Sequence, residues 1–143
     1  MRSIGVVLAA TLFAASLTGC ANRATAKIDP SANLSAIKTM HVVKDPEDSR
    51  AVNDLIADDL RKRGYRVTTS TDKASGVDAL VTYVDRWMWD ITMYMIELTV
   101  TIRDGKTEYP LAVGNSMHTS LTRKSPPEMV DEVMGNIFKE AQQ

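Results

Sequence analysis

Hydrophobic and polar positions alternate most regularly between Met93 and Arg103. Tyr94, Ile96, Leu98, Val100 and Ile102 fall on one side, and Met93, Met95, Glu97, Thr99, Thr101 and Arg103 on the other, the period of a half-buried strand. Asp104-Gly105 supplies a two-residue hairpin turn. Closing it there pairs Arg103 with Lys106, Leu98 with Leu111 and Ile96 with Val113, apolar against apolar. On that register Pro110 lies opposite Thr99 on the outer face, which marks the last strand as an edge. Upstream, Ala79 to Asp90 pairs back through Ile91-Thr92, neither of which is a strong turn former. This sets Trp89 beside Tyr94, Trp87 beside Ile96, Tyr83 beside Val100 and Arg86 opposite Glu97. Asp85 then falls on the core face, where a carboxylate needs partners or water.

Two segments carry the helical period. Between Ala51 and Arg63, Val52, Leu55, Ile56 and Leu60 share a face, with Asp54, Asp58 and Asp59 toward water. The cations Arg61-Lys62-Arg63 complement the carbonyl end of this helix, and Gly64 is a natural stop. Ser125-Pro126-Pro127-Glu128 reads as a capping box with proline in the first turn, and Met129, Val130, Val133, Met134, Ile137 and Phe138 recur behind it at helical spacing. Short strands at 39–43 and 65–69 flank the first helix, and 71–78 is a polar loop. The order β-α-β-β-β-β-α predicts an α+β two-layer sandwich, a mainly antiparallel sheet of about five strands with both helices on one face and the other face partly open.

Composition adds an address. The chain has 143 residues, a formal net charge of -1 and one cysteine. So small a net charge gives no general nucleic-acid footprint, and one cysteine allows neither an intramolecular disulfide nor a cysteine-based zinc cluster. Arg2 precedes an apolar run from Ile4 to Leu17, the layout of an export signal and short of the ~20 residues that a membrane span requires. The run closes on Leu17-Thr18-Gly19-Cys20, which resembles the lipobox of bacterial lipoproteins.

That resemblance implies that residues 1–19 are removed as a signal peptide and that Cys20 becomes the mature N-terminus, carrying covalent lipid. Three acyl chains, at ~0.8 kcal/mol per buried CH₂, amount to a permanent anchor. Ala21 after the cysteine resembles the sorting pattern for the outer membrane, facing the periplasm, with retention at the inner membrane as the alternative. Residues 20–36 lack a sustained apolar period and read as the lipidated cysteine and a flexible tether, in which fifteen extended residues reach at most ~50 Å. Residues 37–143 then form a single periplasmic domain.

Chemistry is sparse. No GxxxxGK or GxGxxG occurs. His41 and His118 are the only imidazoles, and Ser116, two residues before His118 on a predicted strand, lacks the strand-turn-helix setting of a nucleophile elbow. The expectation is therefore no enzyme and no cofactor beyond the lipid on Cys20. Methionine is the other unusual feature, eight in all. Met88, Met93 and Met95 are expected together on the outer sheet face, beside the small residues Ala112, Gly114 and Ser116, with His118 at the sheet end. Thioethers are adaptable contact groups, so this shelf, with Trp87, Trp89 and Asp85, is the candidate partner surface. Soft thioether donors make Met93, Met95 and His118 an alternative Cu(I) set.

The lipobox, short tether and element order together resemble small envelope lipoproteins that serve as accessory subunits of outer-membrane assembly or transport systems. These include the lipopolysaccharide-assembly lipoprotein, auxiliary lipoproteins of ABC-type lipid transporters, and domains akin to the amino-terminal part of the Tol-Pal propeller protein. The implied function is a non-enzymatic, membrane-anchored binding subunit with an envelope protein as partner and no nucleic acid. A binder of lipid or peptidoglycan fragments between sheet and helices is a further alternative. Only Cys20 matches a family functional residue, and the oligomeric state is not encoded in any of these signals.

Overall fold

The computed structural model describes residues 22–143; the expected signal peptide, lipobox and Cys20 lie outside them. In chain order the elements are β1 (Arg23–Ile28), β2 (Thr39–Val43), α1 (Val52–Lys62), β3 (Arg66–Ser70), β4 (Ala79–Asp90), β5 (Thr92–Asp104), β6 (Pro110–Met117) and α2 (Pro126–Glu140), with short 3-10 turns at Leu34–Ala36 and Ser120–Thr122. The sheet order is β1-β6-β5-β4-β2-β3. The four strands on the β1 side are antiparallel to one another, while β2 runs parallel to both β3 and β4. The sheet is thus mixed and six-stranded, close to the expected α+β sandwich of about five strands. The parallel pair follows from the α1 crossover between β2 and β3, since parallel neighbours need a connection of that kind.

Both helices lie on one face, α1 over β2 and β3, α2 over β1, β6 and β5. Between the layers, Met40 and Val42 meet Val52, Ile56 and Leu60, while Val100, Ile102 and Ala112 meet Met129, Val133 and Ile137, all buried. The helix ends follow their sequence signals. Arg63 caps α1 and Gly64 follows at φ 98°, a conformation that glycine adopts without a Cβ clash. Ser125 and Glu128 form the reciprocal capping box of α2.

Three expectations are corrected. Residues 23–28, expected within the flexible tether, form β1 and pair along β6 from Arg23↔Met117 to Ile28↔Ala112. Ala24, Ala26 and Ile28 stand opposite Ser116, Gly114 and Ala112, and that period-two pattern was too short and too weakly apolar to stand out from the tether. In consequence β6 is not an edge, and the edges are β1 and β3. Pro110 opens β6 opposite Arg103, and the first residue of a strand is a position where proline is tolerated.

The second correction is the β5–β6 register. The turn is longer than Asp104-Gly105, because Asp104 Oδ1 accepts from the backbone N–H of Lys106 at 2.9 Å and Thr107 at 2.7 Å, and Glu108 closes the loop at φ 60°. Ile102 therefore pairs with Ala112 and Val100 with Gly114, an odd displacement from the expected register that exchanges the faces of β6. Ala112, Gly114 and Ser116 face the core, Val113 does not, and Leu111, beside the irregularity that opens the strand, packs against the core only partly buried.

The third correction lies in the β4–β5 hairpin. The expected pairing holds from Tyr83↔Val100 to Arg86↔Glu97, then shifts, so that Trp87 pairs with Met95, Met88 with Tyr94 and Trp89 with Met93. Ile96 is the extra residue of a β-bulge, which reverses facing beyond it.

The small residues of β6 let α2 sit close. A Cβ placed on Gly114 would fall 2.8 Å from Ile137 Cδ1 and 2.9 Å from Val133 Cγ1, well inside contact distance. Gly114→Val is therefore expected to destabilise the domain by about 1–3 kcal/mol through overpacking, read from denaturant unfolding; an unchanged midpoint would contradict this seating of α2.

Candidate functional site

The β4–β5 hairpin extends beyond the end of β6, and its tip is where apolar side chains reach solvent. Met88, Trp89, Ile91, Met93 and Leu121 are exposed there, with Trp89 at 70%, Ile91 at 86% and Leu121 at 97% of full accessibility. Among the described residues, the other exposed large hydrophobics are Val84 and Tyr109, so five of seven gather at one end. Ile91 is the single residue between the paired Asp90 and Thr92, and it has φ 61°. A β-branched side chain is a genuine outlier there.

The Ser120–Thr122 turn is held against this tip. Ser120 Oγ donates to Asp90, Arg123 Nη1 donates to Thr92 Oγ1 at 2.9 Å, and the Arg123 guanidinium lies 4.8 Å over the Tyr94 ring. On the other side Thr122 Oγ1 donates to Asn22 Oδ1 at 2.5 Å. The hairpin tip, the exposed Leu121 and the start of the described chain are therefore neighbours.

The expected surface is only partly assembled. Met88 and Met93 are half-exposed but belong to successive cross-strand pairs, Met88↔Tyr94 and Trp89↔Met93, so they point to opposite faces. Met95 is fully buried in the core, because the bulge turns it inward. The small residues expected beside the methionines lie under α2. Trp87 is half-buried, its indole N–H donating to Asp85 and its ring 4.3 Å beneath the Arg50 guanidinium. Asp85 thus has a partner, and with Asp45, Asp48, Arg50 and Trp87 it lines a polar pocket of about 200 Å³.

His118 is buried. Its Nε2 lies 2.7 Å from Glu132 Oε2, which also accepts from Ser116 Oγ. Burial pushes the Glu132 carboxyl up, but the Ser116 and His118 contacts outweigh it and hold the group below its usual range. Ser116 and His118 are thus brought together, as strand alternation implied, but the serine hydroxyl is spent on the glutamate and is fully buried. The arrangement joins β6 to α2. Of the Met93, Met95 and His118 set, Met93 is half-exposed, Met95 is fully buried and His118 is engaged by Glu132. Among the described residues no group of three or more His, Cys, Asp or Glu side chains could hold a metal ion. A groove of about 670 Å³ lies between the two helices, where Asp58, Asp59, Asp131 and Glu132 line it with Lys62 and Lys124.

Sequence reasoning missed Ile91, Leu121, Glu132 and Asp48. Ile91 did leave a signal, as a poor turn former at a hairpin apex. Asp48 organises the β2–α1 loop: its carboxylate accepts from Tyr83 Oη at 2.7 Å and from the backbone N–H of Arg50 and Asn53 at 2.8 and 3.2 Å. It serves the amino end of α1, where Ala51 offers no side-chain cap. Desolvation raises the Asp48 pKa, but these donors more than reverse that and hold the group below its ordinary value.

The comparisons show the fold. No family model matches the chain, and no curated protein matches it. Among solved structures, it is similar to the PelC dodecamer from Paraburkholderia phytofirmans at TM-score 0.60 and 12% identity, covering 82% of this chain and 98% of that one. It is also similar to a DUF4136 family protein from Bacteroides thetaiotaomicron at TM-score 0.55 and 8% identity, covering 85% and 97%. TolB from Acinetobacter baumannii matches at TM-score 0.50 and 14% identity, covering 85% of this chain and 31% of TolB.

Two outcomes follow for the side chains placed above. Met95→Ser is expected to cost about 2–5 kcal/mol of stability, as for large core truncations, whereas Met93→Ser stays within about 0.5 kcal/mol; equal effects in denaturant unfolding would contradict the bulge. Because the folded Asp48 pKa is depressed, its contribution is complete above the unfolded value of about 3.9 and fades as pH falls through the folded value. The stability difference between wild type and Asp48→Asn should therefore be largest near neutral pH and shrink below pH ~4; a difference independent of pH would contradict this role.

Proposed function

We propose that this protein is a non-enzymatic lipoprotein of the bacterial envelope, anchored through lipid on Cys20 and acting as an accessory or binding subunit of an outer-membrane assembly or transport system. The observation that carries the reading is the lipobox-like Leu17-Thr18-Gly19-Cys20 ending two residues before Asn22, which is bonded into the folded domain. The likeness of the fold to the DUF4136 family protein and to TolB fits an envelope accessory protein. The internal use of Ser116, His118 and Glu132, and the engagement of Asp85 by Trp87, support a binding role over a catalytic one.

Early ordering of the chain alters how such a subunit works. With β1 in the sheet, the link from Cys20 to the folded body is two residues long and reaches ~7 Å, not the ~50 Å of a free tether. The body is held against its own membrane. Cells expressing the wild-type chain should incorporate a palmitate analogue and carry the protein in the membrane fraction, and Cys20→Ser should abolish the label. Full labelling of Cys20→Ser, or none of the wild type, would overturn the anchor.

A further inference from the structure

We propose that the hairpin tip formed by Trp89, Ile91, Met93 and Leu121 is a bilayer-contacting surface that seats the domain on the membrane carrying its anchor. The inference rests on the Cys20 anchor for its choice of occupant, and the test below reads the two separately.

Three observations converge on it. The first is position. Thr122 bonds Asn22, and the same turn is bonded to Asp90 and Thr92 at the base of the tip. Cys20 is covalently two residues from Asn22, a span of ~7 Å at most. A lipid on Cys20 therefore brings the hydrocarbon boundary to this end of the sheet and to no other. The Asp104–Tyr109 turn lies a full strand away, since β5 runs from Thr92 at the tip to Asp104.

The second observation is chemistry. An exposed indole flanked by Ile, Met and Leu suits the zone between headgroups and acyl chains, where tryptophan is enriched at membrane surfaces. Arg123 and Lys124 stand two and three residues after Leu121 and put positive charge beside the apolar side chains, as suits a headgroup boundary. The third is strain. Ile91 occupies φ 61° at 86% exposure. A residue such as Asn or Gly would make this turn with less strain, so no folding interaction accounts for an apolar β-branched side chain at the apex. Contact with lipid does.

The test uses the full-length chain, isolated from cells and reconstituted into phosphatidylethanolamine–phosphatidylglycerol vesicles with and without bromine on the lipid acyl chains. Wild-type tryptophan fluorescence should fall about twofold on brominated lipid. Trp89→Phe should lose most of that quenching, because Trp87 is half-buried beneath Arg50; Trp89 is exposed, so this variant leaves the core intact. Ile91→Asp combined with Leu121→Asp should also reduce the quenching severalfold. Absence of bromine quenching in the wild type, or equal quenching in Trp89→Phe, overturns the proposal, including when the tip serves a protein partner instead. Palmitate label on the same preparations reports the anchor independently: quenching without label leaves the tip standing and removes the anchor, and label without quenching does the reverse.

Discussion

The close seating of α2 on β6 is the constraint on which most of this structure depends. A helix whose inward side chains are Met129, Val133 and Ile137 approaches a strand only where that strand is nearly bare, and Ala112, Gly114 and Ser116 provide such a stripe. Once those residues must face α2, the β5–β6 register is determined, since moving it by one residue would present Leu111 and Val113 to a helix with no room for them. The long Asp104 turn is the local device that delivers this register. Ser116 and Glu132 then tie the two layers with a polar contact inside the packed region.

The same seating dictates the route of the chain between β6 and α2. Strand β6 ends at Met117 beneath α2, while β4 and β5 continue past it. Residues 119–125 must turn along the exposed end of that hairpin before Ser125 caps the helix, and Leu121 is carried to the surface beside Trp89 and Ile91. Strand β1, pairing along the free side of β6, brings Asn22 to the same end. Packing on one face of the sheet thus gathers an apolar tip and Asn22, next to the proposed Cys20 anchor, at one pole, and leaves Glu97 on the opposite face, joined to Arg23 at 3.0 Å and Arg86 at 3.1 Å.

Much of this was legible in the sequence wherever a single physical signal dominated. Both helices, their caps and the Arg86–Glu97 pair followed from period and charge. What escaped were features in which an odd number of residues is added between paired positions. The bulge at Ile96 moved Met95 into the core, and the five-residue lengthening of the Asp104 turn reversed β6. A rule that apolar residues face one another favours Leu111 opposite Leu98, because nothing in the strand itself announces that the arriving helix needs glycine there. Strand β1 was hidden for a related reason: an edge strand of small residues gains its stability from backbone pairing more than from side-chain burial. Of the candidate surface, Met88, Trp89 and Met93 are exposed near the hairpin apex, Trp87 is half-buried and Met95 is fully buried, while Ile91 and Leu121 stand exposed beside the first three.

The central claim is that the pole bearing the anchor is the pole that meets the bilayer. Amide hydrogen exchange on the lipidated protein, compared with and without vesicles, addresses it without altering a residue. The account predicts added protection at residues 88–93 and 119–123 and none at the distal turn, residues 104–109. Protection of the distal turn, or no change at the tip while the protein stays on the vesicles, would contradict it.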